Sequence, residues 1–115
     1  MNDKPHLDEE ALAELRDVME DEFDILIQTY ITDSSERIKA LHQALSGNDQ
    51  DSFAKTAHSF KGSSINIGAS RLGDLCLSAE KAGREGRLDD ARQVLPELEA
   101  EFVTVRRMME ESLHV

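Results

Sequence analysis

One histidine of the sequence stands among residues that could support chemistry on its ring. His58 precedes Lys61 and Gly62 on a predicted helix, and at 100° per residue it points about 140° away from the apolar stripe of that helix. Gly62 destabilises a helix interior by about 1 kcal/mol relative to alanine, so a packing or access reason is expected for it, and without a side chain there the ring is open to a close partner. Lys61 places a positive charge where an anion on the imidazole would be neutralised. The pattern indicates a histidine that meets a partner closely and carries an anionic group.

A carboxylate on the following helix is predicted to orient this imidazole. His58 lies 11 residues before Ala69, at the predicted turn, and Glu80 lies 11 residues after it. In an antiparallel helix pair the two residues therefore stand at the same height. Glu80 could accept a hydrogen bond from Nδ1–H of His58, which would fix the tautomer and leave Nε2 as the outward lone pair. Arg84, one turn beyond, could hold the carboxylate in place.

Five amphipathic helices are predicted to position these residues. Their apolar residues recur at intervals of three and four, and no stretch alternates as a half-buried strand would. We expect Asp8 and Ser70 to cap helix starts, Gly68 to end the third helix and Pro96 to kink or break the last one. The predicted helices span about 9–19, 22–46, 50–67, 71–85 and 88–112.

The short connections predict an all-α fold, an antiparallel up-down four-helix bundle with an additional short N-terminal helix. The length predicts a single domain over residues 1–115, with flexible ends at 1–7 and 113–115 that include His6 and His114.

Composition excludes several classes of function. The 115 residues include 13 Lys and Arg against 24 Asp and Glu, a net charge of −11, which disfavours nucleic acid and anionic membrane surfaces as partners. There is no apolar run near 18 residues, so no membrane span is expected. A single cysteine favours a reducing compartment, and we expect a cytoplasmic location. The charge is uneven, because residues 55–92 carry seven basic and five acidic side chains, or +2, and the remainder carries −13.

The run from His58 to Gly68 resembles the motif of the histidine phosphotransfer (HPt) domain family. That motif has a phosphoacceptor histidine, Lys and Gly at +3 and +4, small residues and a Gly at +10, and His58, Lys61, Gly62 and Gly68 match it. Members carry a Gln or Glu on the next helix that bonds the ring, and some have a basic residue one turn later. Glu80 and Arg84 stand at those positions, and the family fold has the helix order predicted here.

The resemblance implies a phosphorelay carrier without a nucleotide site or kinase activity of its own. His58 Nε2 would accept a phosphoryl group from a receiver-domain Asp of a hybrid sensor kinase and pass it to the receiver Asp of a response regulator. No cofactor or metal of its own is expected, since Mg²⁺ would belong to the receiver, and a stand-alone monomer is expected. Lys61, Glu80 and Arg84 would support His58. Candidate contacts with the receiver are Ala54, Lys55, Gly62, Ile65, Leu77 and Lys81.

The sequence also allows other interpretations. The chain could be a helical adaptor that binds receivers without being phosphorylated, and Lys61 could be an ordinary solvated lysine. A cofactor-binding bundle should show paired inward carboxylates or Glu-x-x-His motifs, and the sequence has no Glu-x-x-His. His42 has no second ligand at helical spacing, and Cys76 lies within an apolar stripe, so neither predicts a metal or nucleophilic site.

Overall fold

A computed structural model describes residues 4–113 and confirms the predicted all-α architecture, with no strand in that range. Each helix begins and ends within one residue of its predicted position. The helices are α1 (Glu9–Met19), α2 (Glu22–Ser46), α3 (Gln50–Asn66), α4 (Ser70–Arg84) and α5 (Leu88–Leu113). Helix α2 packs on α3 and α5, and α4 packs on the same two helices, so these four close a bundle, while α1 lies against α2.

The core is built from the apolar stripes of the four long helices. Phe60 of α3 meets Phe102 of α5 edge to face, with ring centroids 6.2 Å apart, an arrangement that aromatic pairs prefer. The short helix α1 is held by the buried side chain of Leu12 and by Arg16. The Arg16 guanidinium lies 5.3 Å from the centroid of the Phe23 ring and donates to Ser112 Oγ at 2.8 Å.

The turn between α3 and α4 sets the register of the two helices that carry the candidate site. Gly68 has φ +90°, as predicted for a residue that ends a helix in the left-handed conformation. The amides of Gly68 and Ala69 donate to the carbonyls of Ile65 and Ser64, which is the hydrogen-bond pattern of a Schellman motif. Because the motif ends at Ala69, α4 begins immediately at Ser70. The prediction that Ser70 is the cap is wrong, since Ala69 occupies that position without a side-chain bond.

Helix α5 runs unbroken through Pro96, so the predicted break is absent. Proline removes one backbone hydrogen bond from a helix interior. The flanking Leu95 and Leu98 are buried in the core, and their packing keeps the two halves of the helix together.

Two side chains of the N-terminal segment contact the helical bundle. Lys4 Nζ lies 3.1 Å from Asp74, and His6 Nδ1 lies 2.7 Å from Oε2 of the buried Glu101. Leu7 is buried, so residues 4–7 contact the bundle, and the flexibility expected of residues 1–7 stays a prediction. Residues 1–3 and 114–115, including His114, lie outside the described residues, and Leu113 is the last residue of α5.

Candidate functional site

His58 lies on the outer side of α3, as its position in the helical repeat predicted. Its side chain is 59% exposed, whereas Phe53, Ala57 and Phe60 on the opposite side of the helix are completely buried. The imidazole is therefore accessible to another protein while its backbone is held in a rigid helix.

The carboxylate of Glu80 connects this imidazole to two cations. Oε2 of Glu80 lies 2.9 Å from His58 Nδ1, as the register of α3 and α4 predicted, and it also accepts from Arg84 Nε at 2.9 Å. Oε1 accepts from Lys61 Nζ at 2.8 Å. Only 7% of the Glu80 side chain is exposed, so three donors surround a nearly buried anion.

These hydrogen bonds keep the Glu80 carboxylate ionised and select one tautomer of the His58 ring. Burial alone would raise the pKa of Glu80, but the hydrogen bonds from Lys61, Arg84 and His58 outweigh burial and lower this pKa to about 2. An ionised carboxylate can only accept hydrogen bonds, so Nδ1 of His58 carries the ring proton. The lone pair of the neutral ring is consequently on Nε2, which has no hydrogen-bond partner within residues 4–113.

Lys61 occupies a different position from that of a solvated lysine. Its side chain is 23% exposed, and its ammonium group is bound to Glu80. The expected positive charge beside His58 is thus present, but in the resting protein it is neutralised by the carboxylate that also orients the ring.

Gly62 leaves open space beside His58. A Cβ atom built on Gly62 would meet no heavy atom within 4 Å, leaving out its two chain neighbours and the backbone of its own helix turn. Packing within the chain therefore gives no reason for a glycine in the middle of α3. The surface of α3 beside His58 is therefore bare at Gly62.

Ile65 and Leu77 form an exposed apolar patch next to this site. The Ile65 side chain lies over Gly73 of α4, where a Cβ would come within 2.7 Å of Ile65 Cγ1, yet it remains 53% exposed. Leu77, one turn after Gly73, is 36% exposed. Both predicted contact residues are therefore accessible on the seam between α3 and α4.

The two predicted lysine contacts lie on separate flanks. Lys55 is exposed and pairs with Asp51 at 3.0 Å on α3. Lys81 lines a groove of about 350 Å³ between α4 and α5, together with Ser78 and Glu97. Lys81 therefore faces the flank of α4 that is turned away from α3.

Ala54 does not share the exposed face of His58, so the prediction that it lies on that face is wrong. Ala54 is buried, and a Cβ on Gly83 of α4 would come within 3.2 Å of its Cα atom. The bare Gly83 lets α4 approach α3 so closely that α4 covers this side of α3 at the level of Ala54.

Arg37 of α2 is a residue near the site that the sequence analysis missed. Its Nε donates to Oγ of Ser59, the residue that follows His58, at 3.3 Å. A signal for this contact was available, because Arg37 and Ser59 each stand 11 residues from Asn48, at the turn between α2 and α3. The same counting that related His58 to Glu80 would have related these two residues.

Other titratable residues have structural surroundings. Nε2 of His42 lies 2.5 Å from Glu99, and burial raises the pKa of the Cys76 thiol to about 12. Across residues 4–113, no three His, Cys, Asp or Glu side chains gather where they could hold a metal ion. In the same part of the chain, no helix is long and apolar enough to cross a membrane.

The fold and the site together define a class of protein. A four-helix bundle presents an exposed imidazole whose ring is oriented by a carboxylate on the adjacent helix, as in a phosphotransfer domain. The Hpt domain family model matches residues 25–111, and the chain belongs to this family, with a function in a phosphorelay. Hpt domains carry phosphoryl groups rather than acting as kinases, and they interact with receiver domains.

Two solved structures illustrate the relationship. Histidine-containing phosphotransfer protein B (HptB) from Pseudomonas aeruginosa PAO1 is 42% identical, with 94% of each chain covered and a TM-score of 0.90. The maize histidine-containing phosphotransfer protein ZmHP2 is 20% identical, with 95% of this chain and 90% of that chain covered, and its TM-score of 0.84 shows the same fold. Among curated protein sequences, none matches the chain.

Proposed function

We propose that Nε2 of His58 is the phosphoryl acceptor of this protein. The group arrives from a phosphorylated Asp on the receiver domain of a hybrid sensor kinase and leaves to an Asp on the receiver of a response regulator. The observation that carries the proposal is the contact of 2.9 Å between His58 Nδ1 and Glu80 Oε2, because it leaves the lone pair on the exposed nitrogen.

The transfer step follows from this tautomer. The Nε2 lone pair attacks the phosphorus of the aspartyl phosphate, the N–P bond forms, and the P–O bond to the Asp breaks with its electrons leaving on the carboxylate. The ring gains a positive charge, which the carboxylate of Glu80 compensates at Nδ1–H. No proton needs to move, and the second transfer reverses the step on another receiver.

The local charges support a phosphoryl group on the ring. A phosphoryl group adds about −1.5 to −2 charges by analogy with phosphorylated hydroxyl residues. The ammonium of Lys61 and the guanidinium of Arg84 are both fixed at the Glu80 carboxylate that contacts the ring. Their combined charge exceeds that of Glu80 by one, so the site is positive before the phosphoryl group arrives.

The supporting parts of the reaction come from the partner in this proposal. Mg²⁺ binds to the receiver, because Glu80, the carboxylate at His58, is already occupied by three donors. The protein acts as a carrier without a nucleotide site or cofactor of its own. We further propose a monomer in the cytoplasm, since a net charge of −11 opposes self-association and a single cysteine suits a reducing compartment.

The test uses a receiver domain labelled with radioactive phosphate on its Asp. The wild-type chain should gain an acid-labile, alkali-stable label, and His58→Gln should gain none. His42→Gln is the matched control, because His42 is another exposed imidazole bonded to a glutamate, and it should be labelled like the wild type. Undiminished label on His58→Gln would refute the proposal. A wild-type chain that binds the receiver and gains no label would be a helical adaptor instead.

A further inference from the structure

The basic side chains around His58 differ in whether they form an ion pair with a carboxylate. Lys55 pairs with Asp51, and Lys61 and Arg84 both pair with Glu80. Arg37 contacts the residue next to His58, yet within residues 4–113 no carboxylate lies within ion-pair distance of its guanidinium.

Arg37 is held against α3 by weak interactions. It is half-buried, and its Nε donates to Ser59 Oγ at 3.3 Å, near the upper limit for a hydrogen bond. The side chain borders a largely apolar groove of about 340 Å³ between α2 and α3. Asp33 borders the same groove but forms no ion pair with Arg37. The apolar lining residues are Leu15, Leu26, Tyr30 and Ile67.

This position places a cation on the second flank of the exposed ridge of α3. Lys61 of α3 and Arg84 of α4 lie on the side of this ridge next to α4, whereas Arg37 of α2 lies on the side next to α2. Gly62 lies on the exposed ridge between these two flanks. A partner that approaches His58 over Gly62 therefore comes near Arg37 as well, and the guanidinium of Arg37 pairs with no carboxylate within residues 4–113.

We propose that Arg37 is a partner-contact residue that pairs with a carboxylate on the receiver domain. The inference rests on the proposed function for the identity of the partner and adds a residue that selects and steers it. The acidic active site of a receiver makes its surroundings the complement of an unpaired guanidinium. Charges at an interface rim act mainly on association and on its salt dependence, so Arg37 affects binding and leaves the reactivity of the His58 ring unchanged.

The binding test uses three variants and a receiver domain that binds the wild-type chain. Arg37→Met keeps the apolar stem that covers the groove and removes the charge, whereas Arg37→Lys keeps the charge. Lys39→Met is the control, since Lys39 lies on the same helix and is 73% exposed. At low salt we expect Kd to rise about two- to fivefold in Arg37→Met and to change little in the other two variants. The difference should disappear as salt screens the pair. An unchanged Kd in Arg37→Met at low salt would overturn the inference, as would a rise in the Kd of Arg37→Lys equal to that of Arg37→Met.

A phosphoryl donor other than a receiver distinguishes failure of this inference from failure of the proposed function. Phosphoramidate can phosphorylate histidine without a receiver, so Arg37→Met should react with it at the wild-type rate. Slower reaction of Arg37→Met with phosphoramidate would mean that Arg37 acts on the His58 ring and would contradict the docking role. Absence of label on the wild-type chain from both donors would refute the proposed function alone. The Kd comparison would still test Arg37 in that case.

Discussion

Nδ1 of His58 lies 2.9 Å from Oε2 of Glu80, so a buried anion on α4 determines which nitrogen of an exposed ring on α3 carries the proton. The same carboxylate binds Lys61 and Arg84. Glu80 is therefore the centre of the site, although His58 is the residue that a partner can reach.

Removal of the Glu80 side chain should slow phosphotransfer while the fold survives. Glu80→Ala leaves the His58 ring free to adopt either tautomer, and we expect the transfer rate to fall about tenfold or more, the value of a hydrogen bond to a charged group. Glu80→Gln can still accept a hydrogen bond from Nδ1–H through its amide oxygen, so its transfer rate should fall less. Rapid-quench kinetics with a labelled receiver measures both rates, with circular dichroism as the check on folding. Wild-type kinetics in Glu80→Ala would count against the orienting role.

The free energy of unfolding should fall as the pH is lowered through the titration of Glu80. The folded pKa of Glu80 is lowered from 4.5 to about 2, so its ion pairs stabilise the fold fully above pH 4.5. That stabilisation is lost as the pH falls from 4.5 towards 2. The partners are partly exposed, so we expect a contribution on the order of 1 kcal/mol. Urea unfolding at several pH values should show a weaker acid dependence in Glu80→Gln, and an identical dependence would contradict the assignment.

We expect Gly62 to lower the free energy of unfolding while it keeps the approach to His58 open. Gly62→Ala should raise the free energy of unfolding by about 1 kcal/mol, because alanine favours a helix and a Cβ there meets nothing. The same change should slow transfer from a receiver by crowding the approach to His58. Gly83→Ala is the control for the effect on stability. A Cβ on Gly83 would lie 3.0 Å from the Phe53 ring, so this change should lower the free energy of unfolding by about 1–3 kcal/mol. Faster or equal transfer in Gly62→Ala would show that the bare position has no role in docking.

The site residues on α3 and α4 were predictable because helix periodicity and turn position are local properties. His58, Glu80 and Arg84 were located by rotation around an axis and by counting from Ala69. Ala54 could not be placed this way, since its burial depends on how closely α4 approaches at Gly83.

Contacts between distant segments were also beyond the sequence pattern. Lys61 could be placed near His58, but its pairing with Glu80 depends on side-chain conformations that periodicity does not specify. Pro96 was expected to kink or break α5, and packing of its neighbours in the core outweighs the lost hydrogen bond. The contact of His6 with Glu101 joins residues 95 positions apart, and no local signal announces it.

The N-terminal segment should contribute to stability through this last contact. His6→Ala would leave the carboxylate of Glu101, which is 8% exposed, without its ring partner. We expect a loss of about 1–3 kcal/mol in the free energy of unfolding, together with faster hydrogen exchange in α1. Glu101→Gln paired with His6→Ala should recover part of the loss, because no buried charge remains. An unchanged free energy of unfolding in His6→Ala would show that the contact is not stabilising.

The position of the phosphate on the protein shows directly whether Nε2 of His58 is the acceptor. Long-range ¹H–¹⁵N correlation spectra of the phosphorylated protein distinguish phosphate on Nε2 from phosphate on Nδ1 of a histidine ring. The geometry predicts phosphate on Nε2 of His58, with the proton retained on Nδ1 towards Glu80. Phosphate on Nδ1 of His58, or on any other residue, would contradict the assignment of Nε2 as the acceptor.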